Sequence, residues 1–316
     1  QIMVASQDCD CTLEIHTSID TSVTNEGMLT EGRKTHFNVK DIGQEKNAGF
    51  LVVETLEKKH TIVFWSGFYY EINGKKVYAK DNMLELNLEK GKPVIITKIF
   101  HIENFAGSNN NNSYKEKVFK KFYRSFHTDF NDLLNAHIEA WEKLWDTSDV
   151  QLKGTANLQI NLRFNIYHML ICAPGDNGFS SIGARTLSGE GYKGHVFWDS
   201  EILILPFFLY THPEMAKNML LYRYMRLDKA RENAKELGYT GAMFPWESAG
   251  IGDEQTPDWA KDINGKIVKI YSHKMEHHIT ADIAFAVWRY YLATEDDTFM
   301  KQYGCELLFE SARFWA

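Results

Sequence analysis

The hydrophobic period of this chain changes once, across Gly107–Ser113, a stretch that contains the four consecutive asparagines Asn109–Asn112. Before that stretch, apolar residues recur mostly at every second position. After it they recur at steps of three and four. A period of two buries one face of a strand, whereas a period of 3.6 buries one stripe of a helix. No single layer satisfies both, so the chain must fold as a β-rich part followed by a helical part.

In the first part Thr12–His16 alternates, and Gly49–Thr55 and Thr61–Phe68 flank a hairpin at Leu56–His60. Tyr69–Ile72 leads into Asn73–Gly74, the strongest short signal for a two-residue hairpin turn. Val77–Ala79, Met83–Leu88 and Pro93–Ile102 continue the series. Short strands at short spacing predict an antiparallel β-sandwich, of which residues 1–108 supply a part. Gln1–Val4 begins inside a strand pattern, and residues 305–316 stop inside an amphipathic helix pattern with no stop signal. The expectation is an internal piece of a longer chain.

Val118, Phe119, Phe122, Phe126, Phe130, Leu133, Leu134, Ile138, Trp141 and Trp145 predict one long amphipathic helix over 113–146, within a helical linker spanning 109–150. Further helices are expected over 156–172, 199–210, 213–237, 276–294 and 296–316. Pro213 stands at a first helical position and Gly238 just past a helix end. Polar, Gly-rich loops over 174–198, 239–260 and 261–275 separate them. Helices alternating with long, chemically loaded loops predict part of an α/α toroid over 151–316, with the site built from loops at one face.

Composition excludes several functions. A formal charge of −7, with no dense Lys/Arg cluster, gives no basis for nucleic-acid binding. No apolar run approaches the roughly 20 residues of a membrane helix. Cys9, Cys11, Cys172 and Cys305 form no disulfide framework and no zinc spacing, which points to a reducing, cytoplasmic setting. Aromatic residues reach 14%, enough for stacking sites as well as core.

The loop that carries most chemistry is GARTLSGEGYKGHVFWDSEILILPFF, residues 183–208. Gly183, Gly189, Gly191 and Gly194 permit positive φ and close backbone approach. The loop delivers Trp198–Asp199 onto an apolar helix. An indole face suits the C–H face of a sugar ring, and a carboxylate accepts from its hydroxyls. Asp199 has a second reading as the helix N-cap, with Trp198 as a core residue. Phe244–Ser248 holds a second such pair, Trp246–Glu247, or else is a packed loop. His273-Lys-Met-Glu276-His277 matches the H-x-x-E-H zinc pattern, but it lies at a loop-to-helix boundary with no evident third ligand, so no metal is expected. Asp253, Glu254 and Asp258 are either paired carboxylates for glycoside chemistry or surface loop acids. Phosphate-binding P-loops and serine-hydrolase elbows are absent.

The runs GARTLSGEGYKGHVFWDSEI (183–202), GAMFPWESAGIGDEQTP (241–257) and HHITADIAFAVWRYY (277–291), with VASQDCDCTLEIHTSIDTSVTN (4–25), resemble glycoside hydrolase family 65. Its members include the kojibiose, nigerose, maltose and trehalose phosphorylases. The resemblance covers essentially the whole chain. It implies a β-sandwich, a helical linker and an (α/α)6 barrel, the first and last only partly present here. It implies inverting phosphorolysis of an α-linked glucose disaccharide, with inorganic phosphate as co-substrate, no cofactor and a homodimeric whole protein. Trp198 and Asp199 would hold the non-reducing glucose, with Arg185 and His195 as walls. Trp246 and Glu247 would face the leaving sugar, and Ser272, Lys274 and His278 would lie near the acceptor. No catalytic residue falls within 1–316. The family's general-acid glutamate is expected beyond Ala316, so the 316 residues alone are expected to be inactive. An inverting α-glucoside hydrolase of the same fold and a non-catalytic sugar-binding module are the competing readings.

Overall fold

The computed structural model describes residues 1–316 except 25–33, 73, 74, 81, 108–110, 155, 176, 177 and 190. Two units emerge, with their boundary between Ala140 and Trp141.

In the first unit the β-rich expectation holds. β1 (Ile2–Val4), β3 (Phe37–Glu45), β4 (Ala48–Thr55), β5 (His60–Ile72), β6 (Lys75–Tyr78) and β8 (Val94–Ala106) make a six-stranded sheet. Its order is β1–β8–β5–β4–β3, with β6 paired on β5, and every pairing is antiparallel. β2 (Cys11–His16) and β7 (Met83–Leu88) make a second, two-stranded antiparallel sheet. Ile72 stands opposite Lys75, as a hairpin requires; the expected Asn73–Gly74 turn itself lies outside the described residues. β3 is a strand that the alternation did not reveal. Its register shifts between Val39 and Asp41, a bulge that moves Ile42 out of step with Phe37 and Val39.

Two apolar clusters hold this unit. Leu13 and Ile15 of β2 and Leu84, Leu86 and Leu88 of β7 pack with Phe68, Tyr70 and Ile96 of the larger sheet. Elsewhere Phe50, Val52, Val63, Trp65 and Tyr69 pack with Val118, Phe122 and Phe126 of helix α1 (Asn111–His127). Gly67 permits that contact, because a Cβ there would stand 2.7 Å from the Phe126 ring.

The single helix expected over 113–146 is corrected to two, α1 and α2 (Phe130–Ser148). α1 begins inside the stretch expected as a loop. Thr128 Oγ1 donates back to the Arg124 carbonyl at 2.8 Å, and the Asp129 carboxylate accepts from the Asn131 N–H at 2.8 Å, which starts a new helix. Phe126 and Phe130 are four residues apart, so the apolar period runs through the break and hides it.

The second unit is mostly helical, as expected. It contains α3 (Ala156–Leu170), α4 (Leu205–Thr211), α5 (Pro213–Tyr224), α6 (Leu227–Glu236), α7 (Ser272–Met275), α8 (His278–Thr294), α9 (Asp297–Phe299) and α10 (Cys305–Trp315). Leu205, Phe208, Met219, Leu220, Ile283, Val287 and Leu307 form its core. π-helical turns at Ser200–Ile204 and Met300–Gly304 precede α4 and α10. The helix expected over 213–237 is interrupted at Met225–Arg226. Arg226 leaves helical φ (−112°), and its guanidinium donates to the carbonyls of Gly178, Phe179 and Tyr222. The loops expected over 239–275 contain a short antiparallel hairpin, β9 (Trp259–Lys261) with β10 (Ile267–Lys269). Three-residue strands are too short to show a period. No helix among the described residues is long and apolar enough to cross a membrane.

Candidate sugar-binding site

Two loops that are far apart in sequence meet through backbone hydrogen bonds. The Val196 N–H donates to the Ser248 carbonyl at 2.9 Å, and the Ser248 N–H returns a bond of 2.9 Å to Val196. Within the first loop Gly183 passes against Gly194, where a Cβ would stand 2.9 Å from the carbonyl oxygen. The second loop is fixed from below by Tyr222 of α5, whose hydroxyl lies 2.9 Å from Ser248 Oγ.

Glu254 fixes the same loop from the side. Its carboxylate accepts from the N–H groups of Trp246 (2.8 Å), Glu247 (3.2 Å) and Thr256 (3.0 Å), and from the Thr256 hydroxyl (2.7 Å). Of the two readings of the loop acids, the catalytic one is therefore set aside for Glu254, because both its oxygens are occupied by the loop. Asp258 is exposed and bonds Lys274 Nζ at 3.2 Å. That contact, with His273 nearby, holds its carboxyl below the usual range.

The bridge gathers three rings. The His278 imidazole meets Trp198 edge-on at 5.1 Å between centroids, and Trp246 at 6.1 Å. His278 stands at the start of α8, and its Nδ1 lies 2.5 Å from the Asp282 carboxylate one helical turn on. His195 Nδ1 lies 2.7 Å from Glu247 Oε1, which joins the two loops a second time. Two tryptophans and two histidine–carboxylate pairs thus come together. Asp282 was not singled out from the sequence, although its spacing of four from His278 was the available signal.

Asp199 does not act as a cap. Its backbone is already helical (φ −50°, ψ −36°), and its side chain makes no capping bond. Among the described residues its carboxylate has no hydrogen-bond or ion-pair partner. The residues around it are tightly held. Ser200 Oγ donates to the Ile182 carbonyl at 2.5 Å. Arg223 of α5 donates to both oxygens of Glu201, at 2.8 and 2.7 Å, and to the Phe197 carbonyl at 3.1 Å. Both members of that pair are essentially inaccessible, and burial pushes the Glu201 carboxyl upward against the pull of Arg223. A fixed backbone that carries a free carboxylate beside an indole is suited to hydrogen-bonding a hydroxyl-rich ligand.

The remaining expected site residues make no hydrogen bond, ion pair or ring contact with the three rings among the described residues. Arg185 stands over Tyr192 at 5.8 Å, within the first loop. Ser272 and Lys274 belong to α7, with Lys274 engaged by Asp258. The zinc reading fails on geometry. α7 ends at Met275, so His273 and His277 do not share a helix face. His273 faces Asp258, and His277 bonds the Lys274 carbonyl between Tyr239 and Phe314. Among the described residues no group of three or more His, Cys, Asp or Glu could hold a metal ion. Burial raises the Cys172 thiol to about 11, which removes it as a nucleophile near neutral pH.

An aromatic cluster flanked by hydrogen-bonding carboxylates, on the loops of a helical unit, has the chemistry that carbohydrate-binding sites use. Residues 163–316 match the glycosyl hydrolase family 65 central catalytic domain, and residues 1–144 match the N-terminal domain of the same family. The chain belongs to glycosyl hydrolase family 65. It is similar to the kojibiose phosphorylase of Thermoanaerobacter brockii, at 40% identity over 95% of this chain and 41% of that protein. The kojibiose hydrolase of Flavobacterium johnsoniae is 45% identical over 58% of this chain and 25% of that protein. A solved structure from the human microbiome, provisionally described as a kojibiose phosphorylase, superposes with a TM-score of 0.75 at 26% identity. That match covers 97% of this chain and 39% of the solved one. The chain therefore spans about two fifths of the length of these phosphorylase relatives.

Proposed function

We propose that this chain supplies sugar-recognising parts of an inverting disaccharide phosphorylase, which converts an α-glucosyl disaccharide and inorganic phosphate into β-glucose 1-phosphate and a free sugar. The observation that carries the reading is the Val196–Ser248 bridge, which brings Trp198 and Trp246 to the same His278. In this reading Trp198 is the platform for the non-reducing glucose, and the free Asp199 carboxylate accepts from its hydroxyls. Trp246 and Glu247 face the leaving sugar, with His278 between the two rings. Arg185 and His195 are outer walls, and Ser272 and Lys274 lie toward the acceptor. Residues 1–108 then belong to a β-sandwich, 109–150 to a helical linker and 151–316 to the first half of an (α/α)6 barrel. The four free cysteines fit a cytoplasmic enzyme, and family resemblance supports a homodimer.

The chemistry needs one protein acid. A phosphate oxygen bonds to C1 while the C1–O bond to the leaving sugar breaks. The acid's proton goes to the departing oxygen, and the configuration at C1 inverts. The reading assigns neither that acid nor the phosphate ligands to residues 1–316, and takes those residues alone to be inactive. Similarity to a kojibiose hydrolase favours one alternative, a hydrolase in which water replaces phosphate. The test is turnover of kojibiose by the whole protein with and without phosphate. Phosphate-dependent release of glucose 1-phosphate supports the proposal, and equal turnover without phosphate supports the hydrolase.

A further inference from the structure

The Trp198 and Trp246 loops stand on a single helical turn. Tyr222 and Arg223 are adjacent near the C-terminal end of α5, and both are buried. Neighbouring residues on a helix point about 100° apart, so one turn can reach two loops. Arg223 reaches the first. Its guanidinium donates twice to Glu201 and once to the Phe197 carbonyl, and these partners flank Trp198–Asp199 on both sides. Tyr222 reaches the second. Its hydroxyl lies 2.9 Å from Ser248 Oγ and donates to the Ala249 carbonyl at 3.1 Å, directly after Trp246–Glu247.

The turn is itself locked by Arg226. The Arg226 guanidinium lies over the Tyr222 ring, 3.5 Å from its centroid. It donates to the Tyr222 carbonyl at 3.0 Å, one of the groups that a helix end leaves without an intrahelical partner. It also donates to the Gly178 and Phe179 carbonyls of the preceding loop. Gly252, further along the second loop, rests on the Arg226 stem. A Cβ there would stand 2.7 Å from Arg226 Cβ, and its φ of +86° suits glycine. The ring that bonds Ser248 is therefore fixed by stacking, and the same arginine supports the far end of that loop.

We propose that Tyr222 and Arg223 are positioning residues, each for one half of the disaccharide. Arg223 sets Trp198–Asp199 against the glucose, and Tyr222 sets Trp246–Glu247 against the leaving sugar. Both act from within the core, through the loops above them. The inference rests on reading those loops as walls for the two sugars. The Val196–Ser248 bridge couples the loops, so the division is one of ratio.

The experiment uses the whole protein and two single variants, Tyr222→Phe and Arg223→Lys. Synthesis from β-glucose 1-phosphate and glucose makes the two halves separate substrates. Arg223→Lys keeps the charge and gives up the forked bonding. Tyr222→Phe keeps the ring beneath Arg226 and loses the hydroxyl. In Arg223→Lys, kcat is expected to fall about tenfold, and KM for β-glucose 1-phosphate to rise about fivefold more than KM for glucose. In Tyr222→Phe, KM for glucose should rise about threefold more than KM for β-glucose 1-phosphate. Values that move together in each variant, or a lower melting temperature with unchanged kinetics, would overturn the proposal. Tyr222→Phe decides alone if Arg223→Lys does not fold.

Hydrogen exchange separates these roles from the proposed reaction. Arg223→Lys should speed exchange at the Ser200 and Glu201 amides, which bond the Phe197 and Trp198 carbonyls, more than at the Trp246 and Glu247 amides. Tyr222→Phe should do the reverse. If the whole protein makes no glucose 1-phosphate from kojibiose and phosphate, the phosphorylase reading fails. That exchange pattern, with weaker kojibiose binding by calorimetry in both variants, would still uphold the positioning roles. Exchange that rises equally in both loops in each variant would overturn them.

Discussion

His195 Nδ1 lies 2.7 Å from Glu247 Oε1, a hydrogen bond between side chains 52 residues apart in sequence. Both side chains are largely buried, at 17% and 9% exposure, so water competes weakly for the bond. With the Val196–Ser248 bridge one residue away from each partner, it ties the Trp198 and Trp246 loops together at adjacent positions. Removing either partner leaves the other short of a hydrogen bond, at a cost of about 1–3 kcal/mol. His195→Ala and Glu247→Ala are therefore expected to be non-additive, with a coupling of about 1 kcal/mol or more in a denaturant double-mutant cycle. Strict additivity would show that the two loops are independent.

Asp199→Ala is expected to leave stability nearly unchanged. A true cap lost to alanine costs about 0.5–2 kcal/mol, but Asp199 makes no capping bond. Glucoside affinity should instead fall at least about tenfold, since an ionised acceptor to ligand hydroxyls is removed. Thermal melting and calorimetry on one preparation separate the two outcomes. A large melting shift with unchanged affinity would restore the capping role.

Glu254→Ala removes the acceptor for four loop donors. The expected result is faster hydrogen exchange at the Trp246 and Glu247 amides, with exchange in the α8 core unchanged. KM for the acceptor should rise more than KM for phosphate. Unaltered protection at those two amides would mean that the loop is held by other contacts.

Trp198–Asp199 and Trp246–Glu247 were legible because each is a local pattern, an aromatic–carboxylate pair at a loop end. Their convergence was expected from the succession of helices and loops and from the family resemblance, but the bridge from Val196 to Ser248 that joins them is encoded by no short-range pattern. The Glu201–Arg223 pair was hidden for a related reason. Glu201 sits next to an apolar run and reads as a helix-start acid, until the fold places Arg223 of α5 against it. β3 was masked by its bulge, and the α1–α2 break by an apolar spacing that continues across it. Asp282 lay within reach of sequence reasoning, four residues after His278 on a predicted helix.

Asp296 offers a pH test of the second unit. The Phe299 N–H, then Lys217 and Tyr290, hold its carboxyl below the ordinary value of 3.8, against the opposing effect of burial. A depressed folded-state value gives stability that is complete above the unfolded value and is lost as pH falls through the folded one. Asp296→Asn should thus be less stable than wild type at pH 7, with the gap closing below about pH 3.8. Denaturation curves across pH 2–7 would show it; a gap independent of pH would mean that the carboxylate charge contributes nothing.

The central claim, that these two loops serve inverting phosphorolysis, is tested most directly by the anomeric form of the first product. The whole protein is given kojibiose and phosphate, and the early time course is followed by NMR before mutarotation or reversal. The account predicts β-glucose 1-phosphate as the first glucosyl product. Appearance of α-glucose 1-phosphate, or of two free glucose molecules with no sugar phosphate, would contradict it.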